Sequence, residues 1–266
     1  MLFHKMHGLG NDFIIFQSTE TLSPDTIRHM CNRHSGVGAD QLITYTDDIE
    51  PIVRFYNQDG TVAEQCGNGI RCLAWLLMTN RNVPSIRLQS PAGHQEAWMM
   101  KDGRVCIEMG KPEFTWDDQP LSQQLDLLDI FTDMSGKPEM VSVSMGNPHA
   151  VIFVQHPTIE MAERYGPYVE HHRLFPNRTN VHFIHVINRA QINMIPWERG
   201  TGITQACGSG ACAAHAAALK KGLIEPVCEI VMPGGSVDLH TRDDGVILLT
   251  GTATYVFEGR MTELLA

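Results

Sequence analysis

Gln65-Cys66-Gly67-Asn68-Gly69 returns later in the chain as Ala206-Cys207-Gly208-Ser209-Gly210. In both copies a cysteine is followed by Gly-(Asn/Ser)-Gly and then by a helix-like apolar run, Ile70 to Leu77 in the first and Ala211 to Ala218 in the second. Other anchors repeat in the same order. Gly10-Asn11 matches Gly146-Asn147, Pro91-Ala92-Gly93 matches Pro233-Gly234-Gly235, and Asp102-Gly103 matches Asp244-Gly245, each at an offset of about 140 residues. Such regularity implies duplication. Two domains of similar fold are expected, related by a pseudo-twofold that turns one cysteine towards the other, with a site in the cleft between them.

Around the two cysteine turns, strands outnumber helices. Phe13 to Phe16, Gln41 to Tyr45, Ile52 to Asn57, Ser85 to Leu88, Gln95 to Met99 and Arg104 to Met109 read as strands in the first half. Val141 to Ser144, Ala150 to Val154, Asn180 to Val186 and Gln191 to Trp197, ending at Pro196, follow in the second, with three or four more closing the chain. Ser23-Pro24-Asp25 starts a helix running to about Arg33, and Thr158 to Tyr165 forms a short one. The order is not a regular βαβ alternation, so the class is α+β. A stretch from about Pro112 to Lys137, rich in Asp, Gln and Pro, is the expected domain junction. The domains are therefore set at 1–116 plus about 256–266, carrying Cys66, and 117–255, carrying Cys207.

Composition narrows the function classes. The 266-residue chain is 43% hydrophobic and 19% charged, as a soluble globular protein is. Its formal charge of −10, with no cationic cluster to offset it, argues against a nucleic-acid partner. No apolar run suits a membrane span, and Met1 to Gly8 lacks the apolar core of a signal peptide. Seven cysteines without framework spacing suit reduced thiols in the cytoplasm.

Two thiols at helix starts can do chemistry. A helix N-terminus favours thiolate, lowering a thiol from its usual value of about 8.5. Glycines beside it let backbone N–H groups approach an anion. Two such turns clamp one carboxylate and leave its Cα between two sulfurs. One thiolate then removes the Cα proton and the opposite thiol returns one to the other face, a step worth roughly 10²–10⁴-fold. The clamp supplies more by stabilising charge that develops on the carboxylate. A Cys–His hydrolase, with His149, His182 or His185 as orienter, leaves the second cysteine turn unexplained. A carboxylate-binding module needs the glycine turns but not the thiols. Zinc ligation is disfavoured, because the Cys66–Cys72 and Cys207–Cys212 spacings are not those of structural zinc sites. Cys72 and Cys212 are read as core, and Cys31, Cys106 and Cys228 as packing.

These residues resemble the diaminopimelate epimerase family, whose members use two cysteine bases without pyridoxal phosphate. The resemblance runs from Lys5-Met6-His7-Gly8-Leu9-Gly10-Asn11-Asp12-Phe13 to Ala253-Thr254-Tyr255 and includes Met145-Gly146-Asn147-Pro148-His149 and Glu198-Arg199-Gly200. It implies two domains, each a β-barrel-like sheet around a central helix, with the C-terminal tail returning to the first. It implies that Cys66 and Cys207 are the bases, with no cofactor and no metal. Gly67, Asn68, Gly208 and Ser209 match the carboxylate turns. Asn11, Gln41, Asn57, Asn147, Asn180, Glu198 and Arg199 match the residues around the rest of the substrate, with Arg199 suited to a distal carboxylate and Glu198 to an ammonium. The expected reaction is LL- to meso-diaminopimelate epimerisation, the expected partner a small amino acid. The sequence itself does not give the oligomeric state; a homodimer is allowed for. The chain departs from the family at Val62 and Ile203, where a glutamate usually stands four residues before each cysteine, at Trp197, where tyrosine is common, and at Ala150, where cysteine is common. These changes bear on the substrate: racemisation of another polar amino acid, such as histidine, is the alternative.

Overall fold

The structure is a computed structural model that describes residues 1–63, 66–91, 93–115, 121, 122, 125–128, 130, 131, 134, 136 and 138–262. Gln65 and Ala92 of the repeated motifs, and much of the expected junction, lie outside the described residues. The chain divides into two compact units, Met1–Glu108 with Thr250–Ala266, and Met109–Leu249; the division falls inside two strands, Val105–Gly110 and Ile247–Gly251, each taken with the unit that holds most of it.

The first unit runs β1 (Leu2–Gly8), β2 (Asn11–Gln17), α1 (Pro24–Cys31), β3 (Gln41–Tyr45), β4 (Val53–Asn57), β5 (Val62–Ala63), α2 (Gly67–Arg81), β6 (Ser85–Ser90), β7 (Gly93–Met99) and β8 (Val105–Gly110). The second runs β9 (Ile130–Phe131), β10 (Glu139–Ser144), β11 (Pro148–Phe153), α3 (Ile159–Glu170), β12 (Asn180–Asn188), β13 (Gln191–Glu198), β14 (Gly202–Ile203), α4 (Gly208–Lys220), β15 (Val227–Met232), β16 (Gly235–Thr241) and β17 (Ile247–Gly251). Finally β18 (Thr254–Arg260) returns to the first unit and pairs with β1. From β1 and from β10 onwards the order of elements is the same. The duplication read from motif spacing is therefore a duplication of α+β architecture.

Each repeat makes the same two moves. A parallel step carries β2 through α1 to β3, pairing Phe13 with Gln41, and β11 through α3 to β12, pairing His149 with Asn180. A hairpin follows, and then the cysteine turn and the long helix. In the second unit β13 and β15 pair in parallel across that helix, whereas in the first the matching contact is one parallel bridge, Ile52 to Gln89. The sheet order is β18-β1-β2-β3-β4-β5 in one unit and β17-β16-β15-β13-β12-β11-β10-β9 in the other, with β14 on β13.

The two long helices are enclosed. α2 packs on β1, β2, β6 and β7, and α4 on β10, β11, β12, β13, β15 and β16. Helices buried around most of their length in this way sit inside a sheet that wraps them. α2 buries Ile70, Cys72, Leu73, Ala74, Leu76, Leu77 and Met78, while α4 presents mostly alanine and so lets its sheet approach closely. By contrast α1 is amphipathic. Ser23 caps it by accepting from the Thr26 N–H, Pro24 opens it, and Ile27, Met30 and Cys31 face inward.

Three details differ from the sequence reading. Leu2–Gly8, absent from the strands expected above, is a strand paired on both edges. α3 continues through Gly166-Pro167 to Glu170, with Gly166 lying against the Trp197 ring, where a Cβ would meet it at 2.3 Å. Pro196 lies within β13 rather than ending it, because β15 and β14 pair with other parts of β13's second edge and ask for no N–H there.

Candidate active site

In the first unit, Cys66 is the N-cap of α2. Its backbone is extended (φ −146°, ψ 101°) and its Sγ accepts from the Gly69 N–H at 3.4 Å. The half-buried thiol also lies 3.7 Å from Asn11 Oδ1, which takes a second donor, Asn68 Nδ2, at 3.5 Å. Asn11 opens β2, and its amide Nδ2 donates to Asp40 Oδ2 at 3.1 Å. Asp40 belongs to an ionic cluster: Arg33 bridges it (2.7 Å) to Asp12 (2.7 and 2.9 Å), and Lys5 meets Asp12 at 2.7 Å. Burial alone would push the Asp12 carboxyl up, but the bonds from Arg33 and Lys5 outweigh it and hold it well below the usual carboxylate range. Backbone N–H groups cross between the two acids, Asp40 N to Asp12 Oδ1 at 2.9 Å and Asp12 N to Asp40 Oδ2 at 3.2 Å. The cluster thus clamps the starts of β2 and β3, which carry Asn11 and Gln41.

Gln41 and Asn57 are register partners in β3 and β4. Gln41 Nε2 donates to Asn57 Oδ1 at 2.9 Å, and Asn57 Nδ2 donates to Thr61 Oγ1 at 3.0 Å. Gln41 Oε1 is buried and has no partner among the described residues.

In the second unit, Cys207 is the N-cap of α4 and only 4% exposed. Its Sγ donates to Glu198 Oε2 at 3.2 Å and lies 3.8 Å from Ser209 Oγ. Glu198 ends β13, and its other oxygen accepts from Thr204 Oγ1 at 2.5 Å. Burial pushes the Cys207 thiol well above its ordinary value, and the Glu198 charge raises it further. At this helix start, desolvation and a neighbouring carboxylate outweigh the pull of the helix towards thiolate.

Asn180 spends both ends of its amide on backbone, accepting from Arg199 N at 3.0 Å and donating to Pro148 O at 2.9 Å. It joins the Asn147 turn to the Glu198-Arg199 turn. Arg199 Nη1 donates to Asn177 O at 3.3 Å. Asn147 Oδ1 meets His149 Nε2 at 2.8 Å, and His149 Nδ1 meets His182 Nε2 at 2.9 Å. Both rings are fully buried and held below the ordinary histidine value by that burial, His182 to about 3. Neutral rings order the chain. His182 Nε2–H donates to His149 Nδ1, and His149 Nε2–H donates to Asn147.

Gly67 and Asn68 open α2 as Gly208 and Ser209 open α4. Their N–H groups belong to the first helical turn, whose donors have no intrahelical partner. The last glycine of each motif has a different purpose from anion approach. A Cβ at Gly69 would lie 2.7 Å from Ile43 Cδ1, and one at Gly210 would lie 2.3 Å from His182 Cε1. These glycines seat the helix on its sheet.

Within the first unit Cys66, Asn11 and Asn68 come together, and Gln41 with Asn57. Within the second, Cys207, Glu198 and Ser209 form one group, with Asn147, Asn180 and Arg199 linked behind it. Among the described residues Cys207 bonds a carboxylate and a hydroxyl rather than an imidazole, and His185 instead bonds Val154 O at 3.3 Å. Cys72 and Cys212 are fully buried, burial pushing Cys72 up to about 12. Of the departures, Val62 is 66% exposed, so an apolar character at that place faces outward, while Ile203 packs with Trp197 on the second unit's core. No three His, Cys, Asp or Glu side chains among the described residues gather to hold a metal ion. Sequence reasoning passed over Glu170, a 2%-exposed carboxylate that accepts from Trp197 Nε1 (2.7 Å) and Gly200 N (2.9 Å) and so holds the turn carrying Glu198 and Arg199. The one available signal was that a packed indole N–H needs an acceptor.

The family model described as diaminopimelate epimerase matches residues 3–115 and 141–256. A diaminopimelate epimerase of Caulobacter vibrioides (strain NA1000 / CB15N) is 39% identical over 99% of this chain and 98% of its own. One of Magnetococcus marinus is 37% identical, over 98% and 97%. Among solved structures, a predicted epimerase of Pseudomonas aeruginosa superposes with a TM-score of 0.70 at 16% identity, covering 98% of this chain and 99% of the other. A hydroxyproline epimerase from Agrobacterium vitis with bound trans-4-OH-L-proline gives 0.68 at 14%, covering 97% and 91%; at such identities the likeness is one of fold. On sequence along its whole length, this chain belongs to the diaminopimelate epimerase family.

Proposed function

We propose that this isomerase inverts an amino-acid Cα by a two-base proton transfer, without a cofactor, and that its substrate is LL-diaminopimelate, converted to the meso form. The observation that carries the reading is the repeated cysteine at the start of an enclosed helix, one in each unit. Cys207, held as a thiol by burial and by Glu198, is the acid in the resting state, and Cys66 is the base that takes the Cα proton. In the reverse direction the roles exchange. The N–H groups of Gly67, Asn68, Gly208 and Ser209 serve the carboxylate at the reacting carbon and offset the charge it gains as the proton leaves. Arg199 answers the distal carboxylate, and Glu198, Asn11, Gln41, Asn57, Asn147 and Asn180 order the remaining polar groups directly or through the backbone. The unpartnered Gln41 Oε1 suits an ammonium N–H.

All seven cysteines are free thiols, which fits a reducing compartment, the cytoplasm. No helix among the described residues is long and apolar enough to cross a membrane. A homodimer is the proposed assembly: β18 edges its sheet and exposes Val256 and Phe257, a surface suited to self-association.

The test is incubation with LL-diaminopimelate in D₂O, with L-histidine in parallel, followed by chiral separation and mass spectrometry. Meso product carrying deuterium at the inverted carbon is expected. Inversion of histidine alone would overturn the substrate, and binding without exchange would overturn the chemistry.

A further inference from the structure

We infer that Asp40 is a positioning residue for Cys66: by taking the Asn11 amide N–H it turns Asn11 Oδ1 onto the thiol. This rests on the reading of Cys66 as a base and deepens it. An asparagine amide can present its oxygen or its nitrogen to a neighbour, and the choice belongs to its surroundings. Asp40 Oδ2, 3.1 Å from Asn11 Nδ2, can only accept, so it fixes the nitrogen on its own side. The oxygen is then 3.7 Å from Cys66 Sγ and 3.5 Å from Asn68 Nδ2. A flipped amide would set donor against donor at Asn68 and acceptor against acceptor at Asp40. Asp40 in turn is immobilised by Arg33 on its other oxygen and by the Asp12 N–H. Arg33 and Lys5, the two cations of the cluster, keep Asp12 ionised opposite it. The ionic cluster is therefore more than a strand clamp. Through one amide it decides that the sulfur meets an acceptor, which disfavours the thiolate, so makes Cys66 the stronger base and holds the proton once it has been taken from Cα.

The test replaces Asp40→Asn in the full-length protein. Cys66 alkylation by iodoacetamide is followed against pH by peptide mass spectrometry, in a Cys207→Ser background, and kcat and KM for LL-diaminopimelate are measured with Cys207 intact. Once asparagine stands at 40, its amide can present an N–H to Asn11, and Asn11 can then turn its own N–H to the sulfur. The alkylation midpoint should move to lower pH, and kcat should fall about tenfold, the scale of one hydrogen bond, with KM within about threefold. In an Asn11→Ala background the same substitution should move the midpoint no further, because coupled residues do not add. A midpoint unmoved by Asp40→Asn, or one moved equally in both backgrounds, overturns the inference. Should the variant not fold, hydrogen exchange of the wild-type Asn11 side chain decides: one protected amide proton is expected, and two exchanging at solvent rate refute it. Alkylation needs no turnover, so if Cys66→Ala still inverted substrate the catalytic reading would fall while this one stood.

Discussion

Acid should weaken this fold as soon as pH falls below the ordinary histidine value. His182 and His215 are buried and neutral, held at about 3 and about 4 against an ordinary 6.5. Burial lowers both, and His215 is lowered a little further by His240. His149 is displaced in the same direction, by burial and by His182 beside it. Their stabilising contribution is complete above the unfolded value and is lost as pH falls towards the folded one, because only the unfolded chain takes up the protons. From about pH 7 to about pH 5, each of His182 and His215 crosses about 1.5 units at about 1.36 kcal/mol per unit, or about 2 kcal/mol. Together they remove about 4 kcal/mol, a large part of a domain stability of about 5–15 kcal/mol. Asp12, held low, loses its contribution only further down in pH and cannot mask the effect in this window. The assay is urea unfolding at several pH values, with wild type beside His182→Gln, which keeps an N–H donor for His149 but does not titrate. The variant should lose about 2 kcal/mol less on acidification, with an unchanged denaturant slope. Equal acid losses in the two proteins would refute the claim that His182 stays neutral in the fold.

Cys66→Ala and Cys207→Ala should each abolish inversion, read by chiral chromatography; near-normal rates in either would mean that one base suffices. Arg199→Leu should harm a substrate with a distal carboxylate far more than one without, and equal losses in kcat/KM would remove its anchoring role. Gly210→Ala drives a methyl into the His182 ring and should cost about 1–3 kcal/mol of stability by denaturant titration; a neutral substitution would mean that the ring yields without penalty. Glu170→Gln should cost about 1–3 kcal/mol and alter the near-UV signal of Trp197, whose indole it holds.

Most of the architecture could be read from the chain, for reasons that particular residues make plain. Ser23-Pro24-Asp25 carries its own capping chemistry, and Gln41 to Tyr45 is a strand by β-branched and aromatic content alone. The repeat was legible because turns preserve glycines where strands tolerate substitution. What escaped depended on partners distant in sequence. β1 begins with the polar-apolar mixture of Leu2-Phe3-His4-Lys5 and makes sense as a strand only beside β18, more than two hundred residues later. The protonation of Cys207 could not be seen in a motif shared with Cys66, since it comes from burial and from Glu198. Asp40 and Glu170 stand in none of the repeated motifs. Their significance lies in which N–H groups they hold, and spacing does not reveal that.

The return of β18 to the first unit sets an order on biosynthesis. Strand β1, made first, has β2 on one side and must wait for residues 254–260 on the other. The second unit, by contrast, is built from one uninterrupted stretch, Met109–Leu249. On the ribosome the later-made half can therefore finish folding before the earlier one. Until the last strand emerges, the open edge of β1 is the part of the nascent chain most exposed to wrong pairing, and so the place where a chaperone has most to protect.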